Sequence, residues 1–580
     1  MDKETLQYTK RHRGGMLTRS YSSTILLLGS IALFSHSRVY GQNNAVYQTE
    51  PLKQSMIAEF ALEYEQADIA LKNYTYLATH TDSTIAKQRA LDIALAQDDL
   101  DDALKIVQHW VKQDPKDVPA LFYLTHIALK SHRYALTAST LENILSIDSD
   151  ADLGEILAGI SPENTKDRQT LLNALRQSKA QNNPAILVLI ASLESQNNEI
   201  EQALKDVQKA LIKRPYVTSF ILLKANLLET LGNQKATEEW YASASYNHKS
   251  NLEIRLAEVK YLIKISKPEL ALTRLEKILN NFPKAEEALF IAGLTSIDLQ
   301  RYDDAENYLV QLKNSSQYQN DASYYLAINA ERKQHYETAI TYYRLVDGSL
   351  YTVSRRNLIN IFYKQNRLFD ALRFLTQERV NYPQHASFLY QLQADILKKM
   401  NNKPAAIELL NEAIHNLPDD PDLIYAQVLL LDPYQQRDLL EQDLDKLLEI
   451  DENNPAYLNA YAYTLALQNR RLDDARHYAQ QALENAPDQA SILDTYGFVT
   501  FLQNDYKVAI PALEKAFANN HSLSTGLRLA QALYLNGNNQ KFNQIAEQLK
   551  IKFKHDPQLD QLDQLIPPTL KKANNNASIH

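Results

Sequence analysis

Residues 472–487 read LDDARHYAQQALENAP, and two of them, Ala475 and Pro487, set the reading of the whole chain. The acidic pair Asp473-Asp474 precedes the alanine, where carboxylates favour the N-terminal end of a helix dipole. Proline follows Ala475 by twelve residues and stops that helix, because it lacks a donor N–H and forces its predecessor out of the helical region. The next helix then starts well just after it. Two other stretches repeat the pattern, RYDDAENYLVQL at 301–312 and NDYKVAIPALEKAF at 504–517.

Nine alanines recur in this register: Ala103, Ala203, Ala271, Ala305, Ala339, Ala371, Ala406, Ala475 and Ala509. From Ala203 the gaps are 68, 34, 34, 32, 35, 69 and 34 residues. Six of the nine are followed after twelve residues by proline, at Pro115, Pro215, Pro283, Pro383, Pro418 and Pro487. An apolar or aromatic residue often stands three before the alanine (Tyr302, Tyr336, Leu368, Leu472, Tyr506), and a small one twelve before it (Ala191, Gly293, Ala327, Ala394, Gly497). Small side chains at fixed steps imply close crossings of two helices, which a larger residue forces apart. A period of ~34 residues per helix-turn-helix unit is that of the tetratricopeptide repeat, and the chain resembles that family. The resemblance implies an all-α, right-handed superhelical solenoid of about 14–15 helix pairs, whose product is binding surface rather than reaction chemistry.

Bulk properties agree. A chain of 580 residues exceeds one ordinary core, and the periodicity favours one elongated array over several domains. Only 12 glycines occur, against a barrel or loop-rich fold, and the 34 tyrosines suit grooves between helices, ring inward and hydroxyl in water. A formal charge of −9 argues against general nucleic-acid binding, which needs a basic field. With no cysteine, disulfides, thiolate catalysis, cysteine zinc sites and thioether lipidation are excluded.

The chain divides into four parts. In residues 1–41, basic Lys10, Arg11, Arg13 and Arg19 precede an apolar run from Ile25 to Phe34. This run is short for a bilayer span and fits the apolar core of a secretory signal, cleaved after Gly41, with Met1 or Met16 as the start. The other reading is an anchor in the inner membrane formed by residues 24–40. Residues 42–54 read as a polar lead-in, 55–565 as the repeat array, and 566–580, with Pro567, Pro568 and an asparagine run, as a disordered tail. Two stretches are degenerate. Residues 148–183 keep helical character but lose the markers, and around 430–450 the segment RDLLEQDLDKLLEI replaces a standard second helix. The loop in LQNRRLDDA carries extra residues.

No chemistry-bearing motif appears. The 14 histidines form no HExxH, and GxSxG, Walker and GxGxxG signatures are absent, so no catalytic residue, cofactor or metal is expected. His109, His335 and His477 read as packing or surface residues. First helices of such repeats line a concave face, through positions 2, 5, 9, 12 and 13 when the marker alanine is numbered 20. This register selects Tyr324, Glu331 and Arg332, then Arg356, Asn360, Tyr363 and Lys364, then Gln391, Asp395, Lys398 and Lys399. Such a net basic, tyrosine-containing stripe suits an acidic peptide or a chain-terminal carboxylate. Arg356 and Asn360 resemble part of the carboxylate clamp of chaperone-binding repeats, although Leu392 stands where its companion asparagine belongs.

The stretches beginning IAEFALEYEQADIALKNYTYLATH near the N-terminus and NPAYLNAYAYTLALQNRRLDDARHYAQQALENAP near the C-terminus resemble the opening and closing repeats of large exported proteins of Gram-negative bacteria. That resemblance implies a periplasmic scaffold whose partners are other proteins or peptides. One type in that group is the adaptor of a carboxy-terminal processing protease, to which it presents cell-wall hydrolases. Members carry a lipid-bearing cysteine that this chain lacks. The alternative expectation is an accessory subunit of envelope polysaccharide synthesis or export.

Overall fold

The computed structural model describes residues 49–151, 153, 161–554 and 556–565. The signal or anchor segment, most of the polar lead-in, the tail and part of the 148–183 stretch lie outside the described residues. Among the described residues are 30 α-helices, four short 3-10 helices and no strand, as the repeat pattern requires. Among them, too, no helix is long and apolar enough to cross a membrane. The helices fall into two compact units, one ending at Lys333 and one starting at Gln334.

Within each unit, helices pair as antiparallel hairpins that share cores with their neighbours. In the first unit, Leu256, Val259 and Leu262 of helix Leu252–Lys264 pack with Leu272, Leu275 and Ile278 of helix Pro268–Asn281 and with Ala288 and Ala292 of helix Glu286–Asp298. This hairpin therefore does not bury its apolar stripe alone. All nine marker alanines are completely buried. At Gly293, an added Cβ would lie 2.5 Å from the Leu309 side chain on the facing helix, so the crossing excludes even a methyl group.

The six prolines lie two residues past the end of a second helix. Each helix closes on a non-helical residue such as Phe282 (φ −130, ψ 68), Tyr382 (φ −131, ψ 65) or Ala486 (φ −145, ψ 72), out of the helical region that a following proline disfavours. The markers without that proline end differently. The Ala305 helix stops at Leu309 and tightens into one 3-10 turn, and the Ala339 helix stops at Arg344. The Ala509 helix runs through Pro511 to Asn520 and closes on left-handed His521.

The turn inside each hairpin has its own rule. Five residues before eight of the nine markers stands a residue in the left-handed region, none of them glycine: Asp98, Asn198, Ser266, Gln300, Gln334, Asn366, Asn401 and Asn504. In seven of these turns the next amide bonds back to the first helix, as Arg301 N–H does to Ser296 O at 2.8 Å, which closes the helix end in a Schellman arrangement. Around Ala475, where the loop has an extra residue, Asn469 and Arg471 both take positive φ.

Boundaries differ from the sequence reading in two places. The first helix spans Thr49–Glu63 and so begins inside the supposed polar lead-in, with Pro51 in its first turn, where a proline costs no hydrogen bond. At 430–450 the second helix is Arg437–Ile450. Its partner is cut to Pro421–Val428, and buried Leu440 occupies the missing marker position, 34 residues after Ala406.

Candidate functional site

Nine of the eleven residues selected by register, all but Glu331 and Asp395, are divided between the units. Tyr324 and Arg332 lie on helix Gln319–Arg332 of the first unit. Tyr324 is half-buried with its ring edge-on to Tyr325 at 5.4 Å, and Arg332 is exposed at the last residue of the helix. The other seven lie in the second unit, on the first helices of two successive hairpins, Tyr351–Lys364 and Ala386–Lys399.

The two helices of the second unit meet through side chains of both. The Arg356 guanidinium stands 5.3 Å from the Phe388 ring, and Lys399 Nζ stands 4.1 Å from the Tyr363 ring. Arg356 and Lys399 are exposed, so each cation rests on an aromatic face and keeps solvent access. Asp395 stands within the field of Lys398 and Arg356, yet its partial removal from water outweighs them and raises its pKa above the usual carboxylate range. Burial, reinforced by Asp395, also raises the Tyr363 phenol. Asn360 and Lys364 follow Arg356 at one-turn steps on the same face, and both are exposed. Gln391 donates to Ser387 Oγ at 3.3 Å, and Lys398 is exposed beside Lys399. Two cations, Lys398 and Arg356, thus stand in the field of one carboxylate on this face, and Lys364 and Lys399 share the two helices. The arrangement offers charge-assisted donors and aromatic platforms to an extended acidic ligand.

Phe388 is the member that the sequence reading missed. It falls at position 2 of its hairpin, one of the register positions already in use, so the signal was present. Arg355 shows the converse. It neighbours Arg356 in sequence but is fully buried, donating to Tyr343 O at 2.7 Å, Val346 O at 2.9 Å and Glu378 Oε2 at 2.6 Å. It closes the carbonyl end of the preceding helix and is not part of the face.

A second cluster of this kind lies on the first helices of the last hairpins. Arg528 pairs with Asp494, donates to Tyr463 Oη at 3.3 Å and sits 4.1 Å from the Phe498 ring. Its charge is already matched within the protein. Asp494 and Phe498 stand at register positions 5 and 9 of the Ala509 hairpin, whereas Arg528 belongs to a hairpin in which Phe542 replaces the marker alanine.

Residues 256–318, spanning the Ala271 and Ala305 hairpins, match the family model described as tetratricopeptide repeat. The chain is 23% identical over 460 residues to a TPR repeat-containing protein of Pseudomonas aeruginosa, covering 79% of this chain and 78% of that protein. Among solved structures it is similar to the APC/C hetero-tetramer Cut9–Hcn1, at 13% identity and a TM-score of 0.33, covering 89% of this chain and 96% of that one. It is similar also to Naa15/Naa10 bound to HypK-THB, at 15% identity and a TM-score of 0.34, covering 85% and 78%.

Proposed function

We propose that this protein is a non-enzymatic scaffold of the bacterial periplasm that binds partner proteins through the first-helix face of its second unit. In this reading it brings cell-wall hydrolases to a carboxy-terminal processing protease. The observation that carries the binding role is the pair of exposed cations on aromatic rings, Arg356 on Phe388 and Lys399 on Tyr363, contributed across two successive hairpins. Stacked hairpins supply such a face without any movable catalytic part, and an acidic segment or a terminal carboxylate matches its charge. The periplasmic location is supported by the basic stretch and the short apolar run at residues 10–34.

The test is affinity capture from an envelope extract, with the wild-type chain beside the double variant Arg356→Glu, Lys364→Glu. The wild type retains a processing protease together with a cell-wall hydrolase, and the variant loses at least one of them. Equal recovery by both removes this face from the function. Recovery of polysaccharide-assembly proteins instead replaces the adaptor role with the accessory one.

A further inference from the structure

The first unit holds a groove of about 450 Å³ between the second helices Gln234–Asn247 and Pro268–Asn281, over the first helix Leu252–Lys264. Lys249, Arg255, Arg274 and Lys277 line it, with Glu258 as the single carboxylate. Arg274 Nε is committed to Glu258 Oε1 at 2.8 Å. Arg255 is only 8% exposed, and among the described residues its one side-chain hydrogen bond is from Nη1 to Lys249 O at 3.2 Å. Ser245 Oγ, also in the lining, is buried without a hydrogen-bond partner among the described residues.

The chain contains its own comparison for Arg255. It stands sixteen residues before marker Ala271, as Arg355 stands before Ala371. In both hairpins the arginine reaches carbonyls of the segment before its helix and lies near an aromatic ring, Phe282 at 5.9 Å for Arg255 and Tyr382 at 5.4 Å for Arg355. The partner differs. Seven residues after the marker, Glu378 gives Arg355 its carboxylate, whereas Ile278 stands at that place for Arg255 and lines the groove. Glu258 lends Arg255 some of its field but is hydrogen-bonded to Arg274, so the buried guanidinium holds one carbonyl and has no carboxylate bonded to it among the described residues, and a carboxylate entering the groove recovers the pairing that Glu378 supplies internally.

We propose that this groove binds an Asp or Glu side chain of an acidic partner peptide, with Arg255 as its buried anchor and Lys249 and Lys277 as its rim. Arg255 takes the carboxylate, Ser245 Oγ has a free donor toward it, and the rim lysines match flanking acidic residues. The site lies in the first unit and is independent of the face around Arg356.

The host for the test is the full chain carrying Arg356→Glu and Lys364→Glu, which silences the other basic stripe. The probe is a fluorescein-labelled octapeptide of alternating Glu and Ala, compared with its Gln analogue by anisotropy. The Glu peptide binds, its affinity falls as salt rises, and the Gln analogue does not bind. Adding Lys249→Glu and Lys277→Glu, both at exposed positions, weakens binding about tenfold or more. Ile278→Glu abolishes it while the thermal midpoint is kept or raised, because the new carboxylate occupies Arg255 from within. Equal binding of the Gln peptide, or unchanged affinity after the two rim reversals, overturns the proposal. Glutarate or inorganic phosphate binding as tightly as the peptide also overturns it, by identifying a small-anion site. If Ile278→Glu unfolds the chain, the rim reversals alone decide.

Discussion

Arg355 and Glu378 form an ion pair from Nε to Oε2 at 2.6 Å, with side chains 0% and 5% exposed. Two helices of one hairpin supply them, and Tyr351 Oη donates to the same carboxylate oxygen at 3.1 Å. Removing one partner strands a buried charge. Glu378→Ala is expected to destabilise the second unit by about 3–5 kcal/mol. The double change Arg355→Leu, Glu378→Leu is expected to cost less than Glu378→Ala. Denaturant midpoints of the three proteins check the order, and a double variant weaker than the single one contradicts it.

Ala305→Leu tests the tight crossing. Ala305 is fully buried, and the facing Gly293 leaves no room for a methyl group against Leu309. The substitution overpacks the hairpin and lowers stability by about 1–3 kcal/mol. An unchanged thermal midpoint would remove Ala305 from the crossing.

Stability near Asp443 depends on pH. Its carboxyl is buried on helix Arg437–Ile450, Oδ2 has no hydrogen-bond partner among the described residues, and burial raises its pKa to about 6 against the pull of Lys446. The folded-state value lies above the unfolded one, so the folded chain holds the proton more tightly. This contribution is fully present below about pH 4, the unfolded carboxylate range, and is lost as pH rises through about 6. Asp443→Asn keeps the shape and removes the charge. It is expected to be more stable than wild type at pH 8, by about 1–2 kcal/mol, and close to it at pH 4. Urea midpoints at the two pH values read the difference, and a gap of equal size at both refutes the assignment.

The left-handed turn residues predict a stabilising change. Gln300 has φ 59, which strains any side chain with a Cβ. Gln300→Gly relieves that strain and is expected to raise stability by about 0.5–1 kcal/mol, net of the greater freedom of glycine in the unfolded chain. A lower melting temperature in calorimetry would show that the glutamine side chain makes a compensating contact.

Much of the fold was legible because its rule is local. Alanine at a crossing, proline two residues past a helix end and acidic residues in a first turn each act within one hairpin, so type and spacing reported them. The turn rule escaped because Asp, Asn, Ser and Gln all occupy the left-handed position, and no single residue type marks it. The candidate face was partly legible. Register placed Arg356, Tyr363 and Lys399 on first helices, but Phe388 entered only when the cation over its ring was seen.

By itself, the sequence determined the repeat, its period and the residues that must be small, since each follows from how a helix starts, stops and approaches its partner. Only the tertiary structure decided which charges are inside. Arg355 and Arg356 are adjacent, yet one is enclosed with Glu378 and the other is open to solvent on Phe388. Likewise Arg255 and Arg355 share a register position, and a residue on another helix, Ile278 in one case and Glu378 in the other, sets whether the arginine is paired from within. Burial and charge pairing arise from helices brought together by stacking, and that information is not carried by any one segment.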